Sequence, residues 1–274
     1  MNNLSFDDLK GKVCVITGGN GVLGKYFVDA LSSVGAKIVI LDRIVDENIS
    51  NENIISLKSD VLDKNILLES KKIINEKWGP VDVLINAAGG NSPKATTKAE
   101  TLSGDNSDNL EDSFFGIDTD GFKFVFDLNI IGTVLPSMVF GTDMVKQKKG
   151  AILNISSMNA FKPLTKIPAY SGAKCAINNF TEWLAVHLAK TGVRVNAIAP
   201  GFFLTNQNRF LLIDEKTGKP TERGNKIINN TPMGRYGEPE ELQGTLLFLL
   251  SDLSKFITGV IIPVDGGFNA FSGV

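Results

Sequence analysis

Seven short apolar runs alternate along the chain with amphipathic stretches, and this rhythm narrows the available folds more than any other feature. The runs fall at residues 13–17, 37–41, 54–58, 81–87, 151–156, 194–199 and 259–264. Several are apolar at consecutive positions, so both faces of the strand must be covered, as in a parallel sheet with helices on each side. Helical periodicity occupies residues 24–34, 64–78, 122–148, 170–191 and 239–251. Strand-then-helix alternation requires right-handed crossovers and predicts an α/β fold, a doubly wound parallel sheet in three layers. The 274 residues suffice for one such domain over 1–274, and no repeat, linker or low-complexity tract divides it.

Two segments break the rhythm. Residues 91–120 are acidic and aperiodic, and residues 201–238 are long and irregular. Both follow the carboxyl ends of predicted strands, where open α/β sheets hold ligands, so they are expected to wall the substrate side, the second as a lid. With 28 basic and 30 acidic residues the net charge is −2, which provides no basic surface for nucleic acid or for a membrane. No stretch reads as a membrane span. The N-terminus lacks a basic region followed by an apolar one, so a cytoplasmic protein is expected. The two cysteines, Cys14 and Cys175, read as buried thiols rather than a disulfide.

Thr17-Gly18-Gly19-Asn20-Gly21-Val22-Leu23-Gly24 joins the first strand to the first helix. Glycine lets the backbone turn and lets a pyrophosphate approach, and the helix N-terminus offers free N–H groups. Gly19, Gly21 and Gly24 fit G-x-G-x-x-G. The strand before and the helix after point to a Rossmann-type dinucleotide site rather than a mere glycine-rich turn. Asp42 closes the second strand, 23 residues after Gly19, where a carboxylate accepts from both adenosine ribose hydroxyls and repels a 2′-phosphate. NAD is therefore expected over NADP, although the adjacent Arg43 is able to pair with a 2′-phosphate.

Tyr170-Ser171-Gly172-Ala173-Lys174 opens a helical segment, and residues four apart share a helix face. A phenol titrates near pH ~10, and a neighbouring ammonium is expected to favour the phenolate and lower that value. Tyr-x-x-x-Lys alone is common; its company is not. Ser157 lies 13 residues before Tyr170, at a strand end. Asn86-Ala87-Ala88-Gly89 ends an earlier strand, Asn129 falls between, and Pro200-Gly201 ends a later strand with Thr205 four residues on. The single histidine, His187, has no Cys or His partner nearby, so no metal site is expected.

This set resembles the short-chain dehydrogenase/reductase family over essentially the whole chain, from Lys12 to Gly267. The resemblance implies an NAD(P)-dependent oxidoreductase acting on CH–OH groups. It implies that Tyr170 is the proton donor in carbonyl reduction and the base in alcohol oxidation. Lys174 would lower its pKa and hold the nicotinamide ribose, Ser157 would hydrogen-bond the reacting oxygen, and Asn129 would support a water relay to Lys174. Around the cofactor it implies Gly18, Asn20, Gly21, Val22, Leu23 and Gly24 at the phosphates, with Asp42 and Arg43 at the ribose. Asp60 and Val61 match positions beside the adenine, and Asn86, Ala87 and Gly89 match the flanking turn. Ile198, Pro200, Gly201, Phe203 and Thr205 match the nicotinamide side.

One feature departs from the pattern. Short members carry Thr-Gly-x-x-x-Gly-x-Gly; here Val22 takes the middle glycine position and Gly21 comes one residue early. The Thr-Gly-x-x-Gly-x-x-Gly reading resembles the extended members, many of which epimerise or dehydrate sugar nucleotides. The chain lacks the length for their added C-terminal region, and the Ser157–Tyr170 spacing suits the short type. Relatives pair as tetramers or dimers through the helices that carry Asn129 and Tyr170, so a homotetramer or homodimer is implied.

Segments 89–97, 154–170 and 200–208, with the tail Val264-Asp265-Gly266-Gly267-Phe268, resemble D-mannonate oxidoreductases, or fructuronate reductases, of the short-chain type. That resemblance implies interconversion of D-fructuronate and D-mannonate. The same loops supply amides and cations rather than a greasy pocket: Asn91, Lys94, Asn159, Asn206, Gln207, Asn208 and Arg209. A polyhydroxylated acid needs such partners, and a cation for its carboxylate. Lys94 and Arg209 are the expected carboxylate ligands, Asn91 and Asn159 the hydroxyl ligands, and Ser157 meets the carbonyl. The alternatives are a dehydrogenase for another sugar acid or polyol such as gluconate, an epimerase-type enzyme, and a cofactor-binding protein without catalysis.

Overall fold

One sheet of seven parallel strands runs through the computed structural model, which describes residues 4–45, 49–103, 109–205 and 208–273. The strands are β1 (Val13–Thr17), β2 (Lys37–Asp42), β3 (Ile54–Lys58), β4 (Val83–Asn86), β5 (Gly150–Ile155), β6 (Val193–Pro200) and β7 (Ile261–Val264). Each lies within two residues of its expected bounds. The helices are α1 (Val22–Ser33), α2 (Lys64–Trp78), α3 (Thr119–Phe126), α4 (Gly132–Gln147), α5 (Pro168–Leu188), α6 (Arg209–Leu212), α7 (Glu222–Asn229) and α8 (Gln243–Leu250).

The strands build the three layers by alternation. Cys14 and Ile16 of β1 join a core with Phe27 and Leu31 of α1 and Leu246 and Leu250 of α8. Val13 and Val15 join a second core with Leu67 and Ile74 of α2 and Phe140 and Met144 of α4. Successive side chains of a strand point to opposite faces, so a single apolar strand feeds both cores. The strand order is β3-β2-β1-β4-β5-β6-β7. Connections run one way from β1 to β2 and β3 and the other way from β4 onward, which opens a crevice beyond the carboxyl ends of β1 and β4.

Three features differ from expectation. Residues 122–148, expected as one helix, are α3 and α4 joined by a π-helical turn, Asp127–Ile131. By length and composition the combined stretch Thr119–Gln147 is apolar enough to cross a membrane, where none was expected; its most apolar window has mean hydropathy 1.6 and is 50% buried. Packing accounts for that apolarity, since Val139, Phe140 and Met144 face the second core. Residues 201–238 are not structureless: they hold α6 and α7, closed by bridges Phe203–Gly237 and Ile213–Pro220 over a small core of Leu212, Ile227 and Tyr236. Cys14 is buried, but Cys175 is exposed. It follows the buried Lys174 by one residue, which turns it about 100° round α5 from the buried stripe. Within 91–120 the chain makes short 3₁₀ turns at Pro93–Ala95, Leu110–Asp112 and Phe114–Gly116.

Candidate active site

β1 ends at Thr17, whose Oγ1 accepts from the main-chain N–H groups of Ala87 and Ala88 at 3.2 Å each, tying the ends of β1 and β4 together. The turn that follows demands glycine most at two places. Gly18 has φ +66°, and a Cβ there would stand 2.8 Å from Ala88 Cα; a Cβ on Gly24 would stand 2.3 Å from Gly18 O. At the other two glycines of the turn, a Cβ on Gly19 would stand 2.9 Å from the Ile40 side chain and one on Gly21 3.0 Å from Gly18 O. Gly21 is the N-cap of α1 and no side chain caps this end. The first-turn N–H groups and the positive end of the helix dipole are thus left for an anion.

A cavity of about 670 Å³ follows the crevice. Gly18, Gly21, Val22, Leu23, Gly24, Asp42, Arg43, Asp60, Val61, Ala87 and Gly89 line it on one side. Ser157, Tyr170, Lys174, Pro200, Gly201, Phe203 and Thr205 line it toward β5 and β6. Ile198 lies within the core of β6. Three expected residues, Asn20, Asn86 and Asn129, are absent from the lining and brace the wall from behind. Asn20 donates its main-chain N–H to Asp42 Oδ2 at 3.1 Å, while Ile44 N donates to Asp42 Oδ1 at 3.3 Å, so the carboxylate is held at the rim. Asn86 Nδ2 donates to Ser137 Oγ at 3.0 Å and to Asn154 Oδ1 at 2.8 Å, and Asn154 Nδ2 donates to Thr181 Oγ1 at 2.9 Å. That buried run of polar groups locks β4 and β5 to α4 and α5.

Asn129 stands on the π turn, fully buried. Its Nδ2 donates to Gly90 O at 2.8 Å and Val125 O at 2.7 Å, and its Oδ1 accepts from Gly90 N at 3.3 Å. A Cβ on Gly89 would stand 2.7 Å from Asn129 Oδ1 and 3.3 Å from Lys174 Nζ. Asn129, the 87–90 turn and Lys174 are therefore in one tight group.

Pro168 starts α5 and puts Tyr170 in its first turn, with Lys174 one turn on. Tyr170 and Ser157 line the cavity together, close enough for the Ser157 hydroxyl to act on the phenol. Ser157 also accepts from Asn159 N at 3.2 Å, which fixes its hydroxyl at the end of β5. Lys174 is 4% exposed, its Nζ 5.5 Å from the Tyr170 ring centre. Burial pulls the Lys174 amine down to about 7. Burial pushes the Tyr170 phenol up from its ordinary value, opposed by the Ser157 hydroxyl. The expected lowering of the phenol by Lys174 is thus replaced by a different balance: desolvation dominates both groups, and Ser157 is the group that pulls Tyr170 down.

Of the expected substrate ligands Ser157 lines the cavity, whereas Asn91, Lys94, Asn159 and Arg209 fall elsewhere. Asn91 Nδ2 donates to Thr96 Oγ1 at 2.9 Å, and Lys94 is exposed and pairs with Asp118 at 3.9 Å. Arg209 opens α6 on the surface. Asn159 is buried, and its Oδ1 has no hydrogen-bond partner. Asn208 lines the cavity, its Oδ1 accepting from Thr205 N at 2.8 Å; Asn206 and Gln207 lie outside the described residues. Sequence reading missed Ala88, Gly90, Phe124, Leu128 and Ser156, which also line the cavity. Adjacency to motifs could have flagged Ala88, Gly90 and Ser156. Phe124 and Leu128 arrive from α3 and the π turn and carry no motif.

These residues fit a dinucleotide: an uncapped helix start behind a glycine cradle, a braced carboxylate at the next strand end, and a Tyr–Ser–Lys group at the far end of the cavity. The family model described as enoyl-(acyl carrier protein) reductase matches residues 21–269. An uncharacterized oxidoreductase of Haemophilus influenzae is 49% identical over 100% of this chain and 99% of its own length. A 2-dehydro-3-deoxy-D-gluconate 5-dehydrogenase of Dickeya dadantii is 32% identical over 96% of this chain and 97% of its own. The crystal structure of a Haemophilus influenza protein with bound NAD, provisionally named a D-mannonate oxidoreductase, superposes with a TM-score of 0.92 at 48% identity, covering 98% of this chain and 99% of that one. The chain belongs to the short-chain dehydrogenase/reductase family.

Proposed function

We propose that the protein is an NAD-dependent oxidoreductase that interconverts a sugar-acid ketone and its alcohol, D-fructuronate and D-mannonate being the pair. The observation that carries the reading is the meeting of Ser157, Tyr170 and Lys174 in the wall of a cavity whose other end is a phosphate cradle. Dinucleotide bound there supplies or accepts the hydride. The protein's own part is to position and to move one proton. In reduction Tyr170 gives its hydroxyl proton to the carbonyl oxygen, and in oxidation it takes the proton back. Ser157 donates to the same oxygen and steadies the phenol. Lys174, poised near neutrality by burial, restores the Tyr170 proton, and Asn129 keeps the 87–90 turn against it.

Asp42 supports NAD over NADP, because its carboxylate is held at the cavity rim by two main-chain donors and repels a 2′-phosphate. The sugar-acid reading draws on the similarity to the NAD-bound protein provisionally named a D-mannonate oxidoreductase and to the gluconate-derivative dehydrogenase. The latter favours a second reading, oxidation of another sugar acid such as gluconate. A cytoplasmic setting, with its pools of both oxidised and reduced dinucleotide, suits either reaction. The segments 91–120 and 201–238 wall the substrate side in both readings. The test is turnover on a panel of sugar acids and neutral polyols with NADH or NAD⁺: fructuronate reduction is expected, and turnover of neutral polyols alone overturns the substrate reading.

A second copy of the protein is the proposed partner. An apolar groove of about 650 Å³ lies between α4 and α5, lined by Met138, Val145, Phe180 and Trp183. Met138 is 53% and Trp183 58% exposed, and His187 stacks on Trp183. Such a surface suits a helix pair from another subunit.

A further inference from the structure

The segment after β4 and the segment after β6 touch. Glu100 Oε2 and Lys226 Nζ are 2.6 Å apart, although 126 residues separate them in sequence. In the sheet β5 lies between β4 and β6, so this contact arches over the carboxyl end of β5, where Ser157 and the loop to Tyr170 begin. A third connection joins it. Lys166, from the loop between Ser157 and Tyr170, accepts through its main-chain oxygen from Thr97 N at 2.9 Å. Its φ of +71° is a left-handed conformation that lysine adopts only under constraint. Arg223 precedes Lys226 by three residues on α7 and shares its face.

One cation thus contacts the Glu100 carboxylate and two others lie on the neighbouring segments. Lys226, by contact, holds the Glu100 carboxyl below its ordinary range, and Lys166 and Arg223 add to that from farther off. Among the described residues neither Lys166 nor Arg223 has an ion-pair partner of its own. The Glu100–Lys226 pair is exposed, 46% and 64% at the two side chains, and exposed pairs are weak enough to exchange readily. Lys94, by contrast, already has Asp118.

We infer that Lys166, Arg223 and Lys226 form the port that receives the carboxylate of an anionic substrate, and that Glu100 holds the place of that carboxylate until the substrate displaces it. This rests on the sugar-acid reading above and names where the charge is recognised. A neutral polyol has nothing with which to displace Glu100, so the port sorts acids from neutral sugars at the mouth of the site.

The test compares steady-state NADH-dependent reduction of D-fructuronate and of uncharged D-fructose by the wild type, Glu100→Gln, Arg223→Ala and Lys226→Met, with thermal melts to verify folding. Arg223→Ala and Lys226→Met are expected to raise KM for fructuronate about two- to fivefold, with the smaller effect on kcat, while Glu100→Gln lowers it. Opposite signs for Glu100→Gln and Lys226→Met separate a charge port from a mere clasp, because a clasp is broken alike from either side. Equal signs, equal shifts for fructose, or no shift overturn the inference. Failure of the substrate reading shows on the wild type alone. If gluconate is turned over in place of fructuronate, the variants are read on gluconate by the same signs; if only neutral polyols react, both readings fall.

Discussion

Lys174 Nζ donates to the main-chain oxygen of Ile155 across 2.8 Å, so its buried amine is pinned by the last residue of β5, two residues before Ser157. Burial there lowers its pKa from 10.5 to about 7. Between those values the unfolded protein carries a proton that the folded protein has released, so this group makes stability rise with pH across the window and weighs most against folding below about 7. Lys174→Met removes the titration. Its melting temperature, relative to wild type, is expected to be most favourable at pH 6 and to lose roughly 5 °C or more of that advantage by pH 10. A difference that stays constant with pH would show that the amine is not desolvated.

Tyr170→Phe removes the hydroxyl that Ser157 meets. The expected loss in kcat is about 10³-fold, the middle of the range a positioned acid supplies. NADH fluorescence titration should give nearly the wild-type affinity. Near-normal turnover would take the proton from another group and end Tyr170's role.

Gly24→Ala places a methyl group 2.3 Å from Gly18 O. The obstacle is backbone, which cannot rotate aside. NADH affinity is expected to fall about tenfold or more and the melting temperature to drop, because the cradle and the start of α1 must both shift. An unaltered dissociation constant in calorimetry would dissociate the turn from the phosphates.

Asp42→Ser removes the carboxylate while leaving Arg43 beside the cavity. A charge pair near a protein surface at ~4 Å is worth up to a few kcal/mol before screening. The ratio of kcat/KM for NADPH over NADH is expected to rise roughly 100-fold, mostly through KM for NADPH. Initial rates with the two cofactors, at fixed ionic strength, decide it.

Trp183→Glu puts a charge into the α4–α5 groove. Sedimentation velocity should show a smaller species than the wild type at equal concentration. Both proteins sedimenting alike would move the subunit contact to another face.

The strands were legible because burial on both sides leaves a signal that needs no context: β1 and β2 are apolar nearly throughout. The tight turn before α1 was legible from glycine spacing, and the one-turn spacing of Tyr170 and Lys174 from helix periodicity. What escaped depends on long-range packing. α6 and α7 are short and lie in a stretch without helical periodicity, and Leu212 and Ile227 find their core only against Tyr236. Thr17 acts on Ala87 and Ala88, some 70 residues away. The balance of charge at Lys174 follows from desolvation, which no local pattern encodes. Lys94 and Arg209 carry charge near strand ends, and sequence does not reveal that Lys94 already has a partner.

The bulge that carries Asn129 makes its position a matter of counting. A π turn holds one residue more than the helix on either side of it. Removing a residue between Phe126 and Gly132 would return the π turn to ordinary α geometry and turn residues within it by up to about 100° about the helix axis. Asn129 or its neighbours would then point away from Gly90, with every amino acid type unchanged. In this stretch, insertions and deletions are far more damaging than substitutions.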